Sequence, residues 1–346
     1  MIEHNLTSSL ISWYSKAKRE LPWRSTKNPY NVWLSEIILQ QTRIDQGLPY
    51  YHRFIESFPT VSDLAKAKEE VVLKHWEGLG YYSRARNLHH TAKYVSDHLN
   101  GQFPKEYKAL LKLKGVGPYT AAAIASICFG EATPVIDGNV FRFISRFYGI
   151  DDDISQPKTR KVFMDVLIGL IDEAHPGEFN QAIMEFGATV CKPSPDCENC
   201  IFSQECYAAQ HKAQKKFPVK LSKPKVKEKF FHYFLIECNG QYLMRQRKAS
   251  IWNGLYEFLL LEAGKTLDSS DYPFDSTQVS LIQISEKFRH LLTHRILWLR
   301  FYHITVGEKY FSSLMNEFDL QPYSYEEVLT LPKPKSIINY LQQVSI

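Results

Sequence analysis

Four cysteines lie within sixteen residues, in the run CKPSPDCENCIFSQEC that begins at position 191. Loops this short let four thiolates converge on one metal centre, as a zinc site or an iron–sulfur cluster requires. A pair of disulfides is the weaker alternative, because the chain has no signal peptide and is expected to stay in a reducing cytoplasm. The spacing therefore predicts a metal or iron–sulfur centre without separating zinc from iron. Its predicted ligands are Cys191, Cys197, Cys200 and Cys206.

The chain of 346 residues is long enough for two domains, and its excess positive charge lies in one short segment. Segment 211–229, HKAQKKFPVKLSKPKVKEK, holds eight lysines and one glutamate, whereas residues 1–210 carry 23 basic and 24 acidic side chains. This composition predicts an extended linker, whose charge suits either phosphate contact or plain solubility. No apolar run approaches the roughly 18 residues of a membrane span, so a soluble intracellular protein is expected.

The hydrophobic pattern differs on the two sides of this linker. Before it, apolar residues recur at helical spacing in 31–43, 62–76, 84–98, 105–112, 119–129 and 159–172. After it, FFHYFLIEC, Asn239-Gly240 and QYLMRQR predict a two-residue hairpin, and RILWLRFYHIT at 295–305 predicts another strand. The expected fold class is multidomain, α followed by α+β. Its predicted parts are a helical domain at 1–210, a linker at 211–229 and an α+β domain at 230–346.

The run LKGVGPYTA, from Leu113 to Ala121, places Gly115 and Gly117 in a tight turn before an alanine-rich helix. Backbone N–H groups at such a helix start bind phosphate without sequence preference. Two glycines in a turn are a weak signal alone, but the whole run resembles the helix-hairpin-helix of DNA glycosylases. The downstream run VIDGNV at 135–140 matches the catalytic aspartate of that superfamily, and the four cysteines match the [4Fe–4S] cluster of its endonuclease III branch.

Within that branch the chain resembles adenine DNA glycosylases of the MutY type. The segments that carry the resemblance are LPWR at 21–24, SEIILQQTRI at 35–44 and GLGYYSRARNLH at 78–89. It covers residues from about 10 to 206 strongly and the second domain more loosely. In two departures from the family pattern, five residues instead of six separate Cys191 from Cys197, and Ile201 replaces a common proline. We expect a tightened first loop around a retained cluster.

Glu36 is the first candidate catalytic residue. Helical spacing places it on one face with Gln40 and Arg43, a pattern that usually marks a solvated surface. The resemblance implies instead that Glu36 protonates a ring nitrogen on the Hoogsteen edge of adenine. That role needs a carboxyl that is still protonated near neutral pH, which burial by an extruded base can provide.

Asp137 and Tyr119 complete the predicted chemistry. Asp137 precedes Gly138 and a helical run, so an N-cap is expected. The resemblance adds that its carboxylate balances the positive sugar as the glycosidic bond breaks, with Asn139 as its positioning partner. Tyr119 stands where bifunctional endonuclease III enzymes carry a lysine nucleophile. The resemblance thus implies base removal without strand cleavage, and it places Tyr119 beside Glu36.

Base extrusion leaves a gap in the DNA stack, and the resemblance implies that Gln41 and Tyr81 fill it. An aromatic residue in a glycine-rich turn could equally belong to a core. Arg24 and Arg84 are the expected phosphate or base contacts. The other DNA-binding residues expected from these motifs are Thr42, Leu79, Gly115 and Gly117.

The second domain resembles the Nudix-like recognition domain of the same enzymes. An apolar run follows the segment GLYEF at 254–258, where Nudix hydrolases carry an acidic metal-binding cluster, so diphosphate hydrolysis is not expected. The run FRHLLTH at 288–294 resembles the loop that senses 8-oxoguanine. This resemblance implies lesion contacts by Thr293 and His294.

The expected protein is a monofunctional, monomeric adenine DNA glycosylase of base excision repair that carries a [4Fe–4S] cluster. Its expected partner is double-stranded DNA with adenine opposite 8-oxoguanine or guanine. One alternative is an endonuclease III-like glycosylase for thymine or oxidised pyrimidines, which Tyr119 and the second domain disfavour. The other is a non-catalytic DNA-binding scaffold, which the presence of Glu36 and Asp137 disfavours.

Overall fold

The computed structural model describes residues 2–221, 227–248, 251–264, 266–292 and 295–343, with side chains from residue 6 onward. The chain forms two compact units that are not contiguous in sequence. The first contains Met1–Lys66 and Asn87–Ser222, and the second contains Ala67–Arg86 and Lys223–Ile346. Among the described residues, no helix is both long and apolar enough to span a membrane.

The predicted helical character of the chain before the linker is confirmed. Five of its helices start at a proline or a capping side chain. Proline is favoured at the first helical position because it costs no hydrogen bond there. The helices are α1 Ile2–Ala17, α2 Pro29–Leu39, α3 Ile44–Ser57, α4 Val61–Lys66, α5 Glu69–His75, α6 Ser83–His98, α7 Tyr107–Leu110, α8 Pro118–Phe129, α9 Gly138–Tyr148, α10 Pro157–Leu170, α11 Pro176–Thr189 and α12 Tyr207–Gln210.

Two boundaries differ from the periodicity. The segment 62–76 is not one helix, because α4 ends at Lys66 and α5 begins at Glu69. The helix expected at 31–43 ends at Leu39, and Gln41 adopts a left-handed backbone with a φ of 57°. Arg43 is therefore the N-cap of α3, so the prediction that it shares a helix face with Glu36 was wrong.

The core of the first unit lies under the cysteine loop. Phe143 of α9 and Phe186 of α11 pack with ring centroids 4.8 Å apart. Phe202, which lies between the third and fourth cysteines, packs against both rings at 5.7 and 5.2 Å. Burying this aromatic side chain ties the loop to two helices, since each such pair adds roughly 0.5–1.5 kcal/mol beyond area burial.

The first part of the predicted linker packs on the first unit. Ala213 and Phe217 are buried in a small cluster with Ala208 of α12. The backbone N–H of Ile154 donates to the carbonyl of Val219 at 3.0 Å. The lysine-rich composition therefore did not prevent this stretch from burying two side chains.

The second unit contains a mixed sheet, so the expected α+β character is confirmed. Within the described residues its strands are β1 Lys227–Cys238, β2 Gln241–Gln246, β3 Tyr256–Glu257, β4 Leu259–Ala263, β5 Val279–Ile284, β6 Phe288–Leu292, β7 Arg295–Val306 and β8 Gln321–Ser324. The predicted hairpin joins β1 to β2, and Asn239 and Gly240 both have positive φ, as a two-residue turn requires. Strand β7 pairs with β1 in parallel and with β5 and β6 antiparallel.

Both faces of β1 are buried, which explains its nearly continuous run of apolar residues. Phe231 and Tyr233 face one core together with α14 Tyr325–Thr330 and α15 Lys335–Gln343. Phe234 and Ile236 face a second core together with α13 Glu308–Phe318.

Asn180 is a buried polar residue that holds the backbone leading to Asp137. Its side-chain carbonyl accepts the N–H of Val135 at 3.0 Å, and its amide donates to the Thr133 carbonyl at 2.8 Å and to Ser126 Oγ at 2.9 Å. A single side chain thus satisfies backbone groups that would otherwise be buried without partners.

Asn180→Ala should lower the free energy of unfolding by about 2–4 kcal/mol, because it leaves buried donors and acceptors unpaired. Asn316→Ala is the matched control, since Asn316 makes an exposed bond to Ser312 and its loss should change stability by roughly 0.5 kcal/mol or less. Urea denaturation followed by helical circular dichroism measures both. Equal effects of the two substitutions would show that the Asn180 network carries no special stability.

Candidate active site

A cavity of about 760 Å³ opens in the first unit between α2, α8, α11 and the start of α9. Its size is that of a small-molecule pocket. Four of the predicted DNA-glycosylase residues lie on its wall together, although up to 103 positions separate them in the sequence. These residues are Glu36, Tyr119, Asp137 and Asn139.

Glu36 of α2 presents its carboxyl to this cavity. Removal from bulk water raises the pKa of Glu36 to about 7. A hydrogen bond from Tyr119 and the positive charge of Arg24 act in the opposite direction, while the carboxylate of Asp137 adds to the rise. The elevation predicted for substrate-bound enzyme is thus present in the free protein, so Glu36 can supply a proton near neutral pH.

Tyr119 lies at the start of α8, directly after the glycine turn. Its hydroxyl is 3.0 Å from the Met184 sulfur on α11 and also hydrogen-bonds to Glu36. Burial raises the pKa of Tyr119 far above its usual value, and the two nearby carboxylates reinforce this. The phenol therefore stays neutral and acts as a donor beside the acid.

Asp137 caps α9, as its position before Gly138 predicted. Its Oδ1 accepts the N–H groups of Asn139 and Val140, both at 2.8 Å, and its Oδ2 accepts the Asn139 amide at 2.7 Å. Burial raises the pKa of Asp137 while these hydrogen bonds and Arg142 pull it down. The cap therefore fixes a carboxylate at the cavity wall in one orientation.

Arg142 was missed by the sequence patterns. One turn along α9 from Asn139, its Nη2 donates to Asn139 Oδ1 at 2.8 Å and to the Gly187 carbonyl at 2.6 Å. Its Nε donates to the carbonyl of Cys191 at 2.7 Å. A chain of hydrogen bonds thus runs from the cysteine loop through Arg142 and Asn139 to Asp137. The i, i+3 spacing of Asn139 and Arg142 was the available signal.

A buried ion pair forms another part of the cavity wall. Glu185 of α11 is 1% exposed and accepts Arg19 Nη2 and Arg24 Nη2, each at 2.6 Å. Despite burial, hydrogen bonds from these two arginines lower the pKa of Glu185 to about 2. Arg24, predicted to contact DNA, is therefore already paired. The sequence patterns did not predict Glu185 and Arg19 as site residues. An acidic residue on an apolar helix face could have indicated a buried ion pair.

The turn after α2 carries Gln41, which was predicted to fill the DNA stack, and Thr42, which was predicted to bind DNA. Gln40 donates from its amide to Thr120 Oγ1 at 3.3 Å. Gln41, with its left-handed backbone, and Thr42 both line the cavity, as does Arg43. A non-glycine residue with positive φ costs of order 1 kcal/mol, and such strain clusters at functional sites.

The helix-hairpin-helix consists of α7, the turn and α8. Gly115 has a φ of 82°, and a Cβ there would lie only 2.7 Å from the Cβ of Asn87, so glycine is required. Gly117 is the N-cap of α8, and Pro118 follows at its first turn. Phosphate binding by the N–H groups of this turn stays a prediction from the motif.

The second unit holds the other predicted DNA contacts. Tyr81 has a φ of 49° and is 48% exposed, whereas Leu79 packs inward and is 6% exposed. The Arg84 guanidinium lies 5.0 Å from the Trp76 ring and 5.5 Å from the Tyr81 ring. Of these predicted residues, Tyr81 is the one that projects into solvent. Thr293 and His294 lie outside the described residues.

The four loop cysteines surround one small cavity of about 20 Å³. No three His, Cys, Asp or Glu side chains of the described residues are arranged to hold one metal ion. A four-iron cluster differs, because each thiolate binds a separate iron and the sulfurs stand further apart. Arg146 Nη1 lies 3.5 Å from Cys191 Sγ, and Gln214 Nε2 lies 3.5 Å from Cys197 Sγ. Four thiols with donors beside them fit a cluster.

Two family matches agree with the two folds. The family described as HhH-GPD superfamily base excision DNA repair protein matches residues 34–167, and the NUDIX domain matches residues 232–343. Among solved structures, a thermostable thymine-DNA glycosylase is 28% identical with a TM-score of 0.56, over 60% of this chain and 97% of its own. An endonuclease III–DNA complex, at 22% identity and a TM-score of 0.52, covers 62% of this chain and all of its own and supports the fold alone.

Curated relatives extend across both units. The adenine DNA glycosylase of Buchnera aphidicola subsp. Acyrthosiphon pisum (strain APS) is 32% identical over 301 residues, which are 85% of this chain and 86% of that protein. The human adenine DNA glycosylase is 44% identical over 216 residues, 60% of this chain and 40% of its own length. The resemblance predicted from the motifs is thereby confirmed, and the chain belongs to the adenine DNA glycosylase family.

Proposed function

We propose that this base excision repair glycosylase removes adenine opposite 8-oxoguanine or guanine in double-stranded DNA, acts as a monomer and leaves an abasic site. The observation that carries the proposal is the pairing of two carboxyls with different roles in one cavity. Glu36 has a pKa of about 7, whereas Asp137 accepts three hydrogen bonds that favour its charged form. Two carboxyls in such different surroundings are typical of an acid and a stabilising anion.

Glu36 is the proton donor in this proposal. A protonated carboxyl beside the adenine ring delivers its proton to a ring nitrogen on the Hoogsteen edge, and the base then leaves as a neutral molecule. Tyr119 and Arg24, which both oppose the rise in the pKa of Glu36, keep the proton transferable. An acid whose pKa lies close to the working pH balances the fraction of protonated enzyme against the ease of proton transfer.

Asp137 stabilises the sugar after the bond between C1′ and the base nitrogen breaks. A carboxylate about 4 Å from the positive sugar, at an effective dielectric near 20, contributes roughly 4 kcal/mol. Asn139 and the N–H groups of α9 hold this carboxylate in place before the charge develops, which is how electrostatic catalysis avoids reorganisation. A water oxygen then bonds to C1′ and loses its proton.

Tyr119 supports base removal without strand cleavage. A lyase reaction needs an amine that forms a Schiff base with the sugar. The phenol of Tyr119 supplies no amine. Its hydroxyl instead hydrogen-bonds to Met184 and to the proposed acid, Glu36. The product is therefore an intact strand with an abasic sugar.

Substrate engagement uses three surfaces. The hairpin turn at Gly115 and Gly117 binds a backbone phosphate through N–H groups. Gln41 and Tyr81 enter the stack when adenine leaves it. Thr293 and His294 contact the opposite base, a role that rests on the motif FRHLLTH alone.

The second unit reads the lesion and does not hydrolyse diphosphates. Glu257, the acidic residue of its GLYEF segment, is buried and accepts Arg247 Nη1 at 3.1 and 2.8 Å. A carboxylate neutralised by arginine cannot also bind a catalytic metal. This pairing supports a recognition role for a Nudix-type fold.

The cysteine loop holds a [4Fe–4S] cluster through Cys191, Cys197, Cys200 and Cys206. When bound, the cluster supplies a redox-capable covalent cross-link between the four positions. Arg146 contacts the loop through the carbonyls of Lys192 at 2.6 Å and Pro193 at 3.0 Å. Arg142 connects the same loop to Asn139, so the cluster would steady the catalytic aspartate.

Four duplexes that pair adenine or thymine with 8-oxoguanine or guanine test the substrate. We expect release of adenine alone, with strand breakage only after alkali. Glu36→Gln should reduce release by at least about a thousandfold with duplex binding retained, because the amide carries no acidic proton. Glu56→Gln, an exposed change on α3, is the control. Thymine release would favour the pyrimidine-glycosylase alternative, and an active Glu36→Gln would remove Glu36 from the mechanism.

The pH profile should reveal the two carboxyls separately. Single-turnover rates should rise as Asp137 loses its proton and fall as Glu36 loses its proton near pH 7. Asp137→Asn keeps an N-cap but should lower the rate about a thousandfold. Because Asp137 raises the pKa of Glu36, this variant should also shift the alkaline limb to lower pH. Asp153→Asn, in a half-buried turn outside the cavity, is the control. An alkaline limb that does not move in Asp137→Asn would contradict the coupling.

Protein purified without oxygen should be yellow-brown and contain about four irons per chain. Cys206→Ser should lose iron and adenine release together. Cys128→Ala should keep both, since Cys128 lies on α8 outside the loop. Iron and zinc analysis measures this outcome, and one zinc per chain with no iron would overturn the cluster.

A further inference from the structure

The turn that carries Tyr81 has a strained backbone. It joins α5 to α6, and Gly78, Gly80 and Tyr81 have φ angles of 99°, 75° and 49°. Glycine adopts such angles freely, but a bulky aromatic residue does not. A left-handed tyrosine on the surface persists only where its surroundings determine the turn.

Part of that restraint comes from the turn itself. Trp76 Nε1 donates to the carbonyl of Gly80 at 2.9 Å, and Arg84 Nη2 donates to the same oxygen at 3.3 Å. These contacts close the turn, because both donors lie within four residues of the acceptor. They do not anchor it to the rest of the second unit.

Tyr82 supplies the anchor. Its phenol oxygen accepts the N–H of Gly78 at 3.4 Å, and its hydroxyl donates to the carbonyl of Lys333 at 3.1 Å. Tyr82 is 5% exposed, so this bridge is shielded from water. One oxygen atom thus links Gly78 to the backbone of Lys333, which lies 251 positions after Tyr82.

The backbone of Lys333 is itself held from both sides. Its N–H donates to Glu77 Oε1 at 3.1 Å, next to the turn. Its buried ammonium donates to the carbonyls of Leu331 at 2.6 Å, Leu329 at 3.3 Å and Val328, at the end of α14. An ammonium with three carbonyl partners fixes this segment, which makes it a rigid support for Tyr82.

We propose that Tyr82 is a positioning residue for base extrusion, acting by tying the Tyr81 turn to the Lys333 backbone. Extrusion costs a few kcal/mol of base stacking. Tyr81 can help to offset that cost only if the backbone that carries it stays in place. The inference rests on the proposed function of the chain, in which Tyr81 enters the DNA stack. It assigns to residues 328–333 a share in adenine release that is independent of contacts to the opposite base.

Tyr82→Phe tests this role, because it deletes only the bridging oxygen. With 2-aminopurine beside an uncleavable 2′-fluoro adenosine opposite 8-oxoguanine, the fluorescence rise that reports extrusion should slow about three- to tenfold. The single-turnover rate on cleavable duplex should fall equally at saturating enzyme, while affinity for the duplex stays the same. Tyr310→Phe is the matched control, because it also removes a tyrosine oxygen that accepts a backbone hydrogen bond. That bond comes from the Asp275 N–H at 2.8 Å.

A mismatch next to the adenine separates positioning from a general structural effect. It lowers the unstacking cost, so the defect of Tyr82→Phe should shrink on that duplex. Lys333→Met should slow extrusion in the same way. The double variant should slow it by less than the product of the two single-variant fold-reductions, because both residues act through one contact. If wild type releases adenine while Tyr82→Phe matches Tyr310→Phe, the inference fails. If wild type releases no adenine, the proposed function fails instead.

Discussion

Exclusion of water from the carboxyl of Glu36 is the constraint on which the site depends. It raises the pKa of Glu36 to about 7, where a carboxyl can still donate a proton in neutral solution. The surrounding groups adjust this value in both directions: Asp137 raises it, while Tyr119 and Arg24 lower it. Arg24 can do so from a fixed position because Glu185 holds its guanidinium at 2.6 Å. A buried ion pair costs desolvation, and here it places a positive charge beside the acid.

The orientation of the Asp137 carboxylate depends on a different feature, its position as the N-cap of α9. Asp137 satisfies the first N–H groups of α9 and, in doing so, is held at the cavity wall. Behind it, Arg142 connects Asn139 to the carbonyl of Cys191, and Phe202 connects the cysteine loop to the aromatic core. The loop and the Asp137 carboxylate therefore belong to one packed and hydrogen-bonded layer. The side chains of Arg142 and Asn139 connect the loop to Asp137.

In the proposed function, the second unit combines recognition of the opposite base with support of the Tyr81 turn. This unit matches the NUDIX domain. The carboxylate of Glu257, however, is paired with Arg247 and is therefore not available as a metal ligand. The same unit includes Ala67–Arg86, which carries the exposed Tyr81. The second unit therefore begins with Ala67–Arg86 and is completed only after the first-unit segment Asn87–Ser222. Residues distant in sequence then share the task of holding one turn.

The sequence by itself determined the features that depend on a few neighbouring residues. The Asp137 cap, the glycine turn at Gly115 and the Asn239-Gly240 hairpin each follow from local backbone preferences, and the motifs located Glu36 and Tyr119. Tertiary structure decided the rest. It ended α2 at Leu39, withdrew part of Glu36 from solvent, and joined Glu185 to Arg24 and Tyr82 to Lys333. Desolvation and contacts across 161 or 251 positions depend on packing in three dimensions, and no pattern of a few residues encodes them.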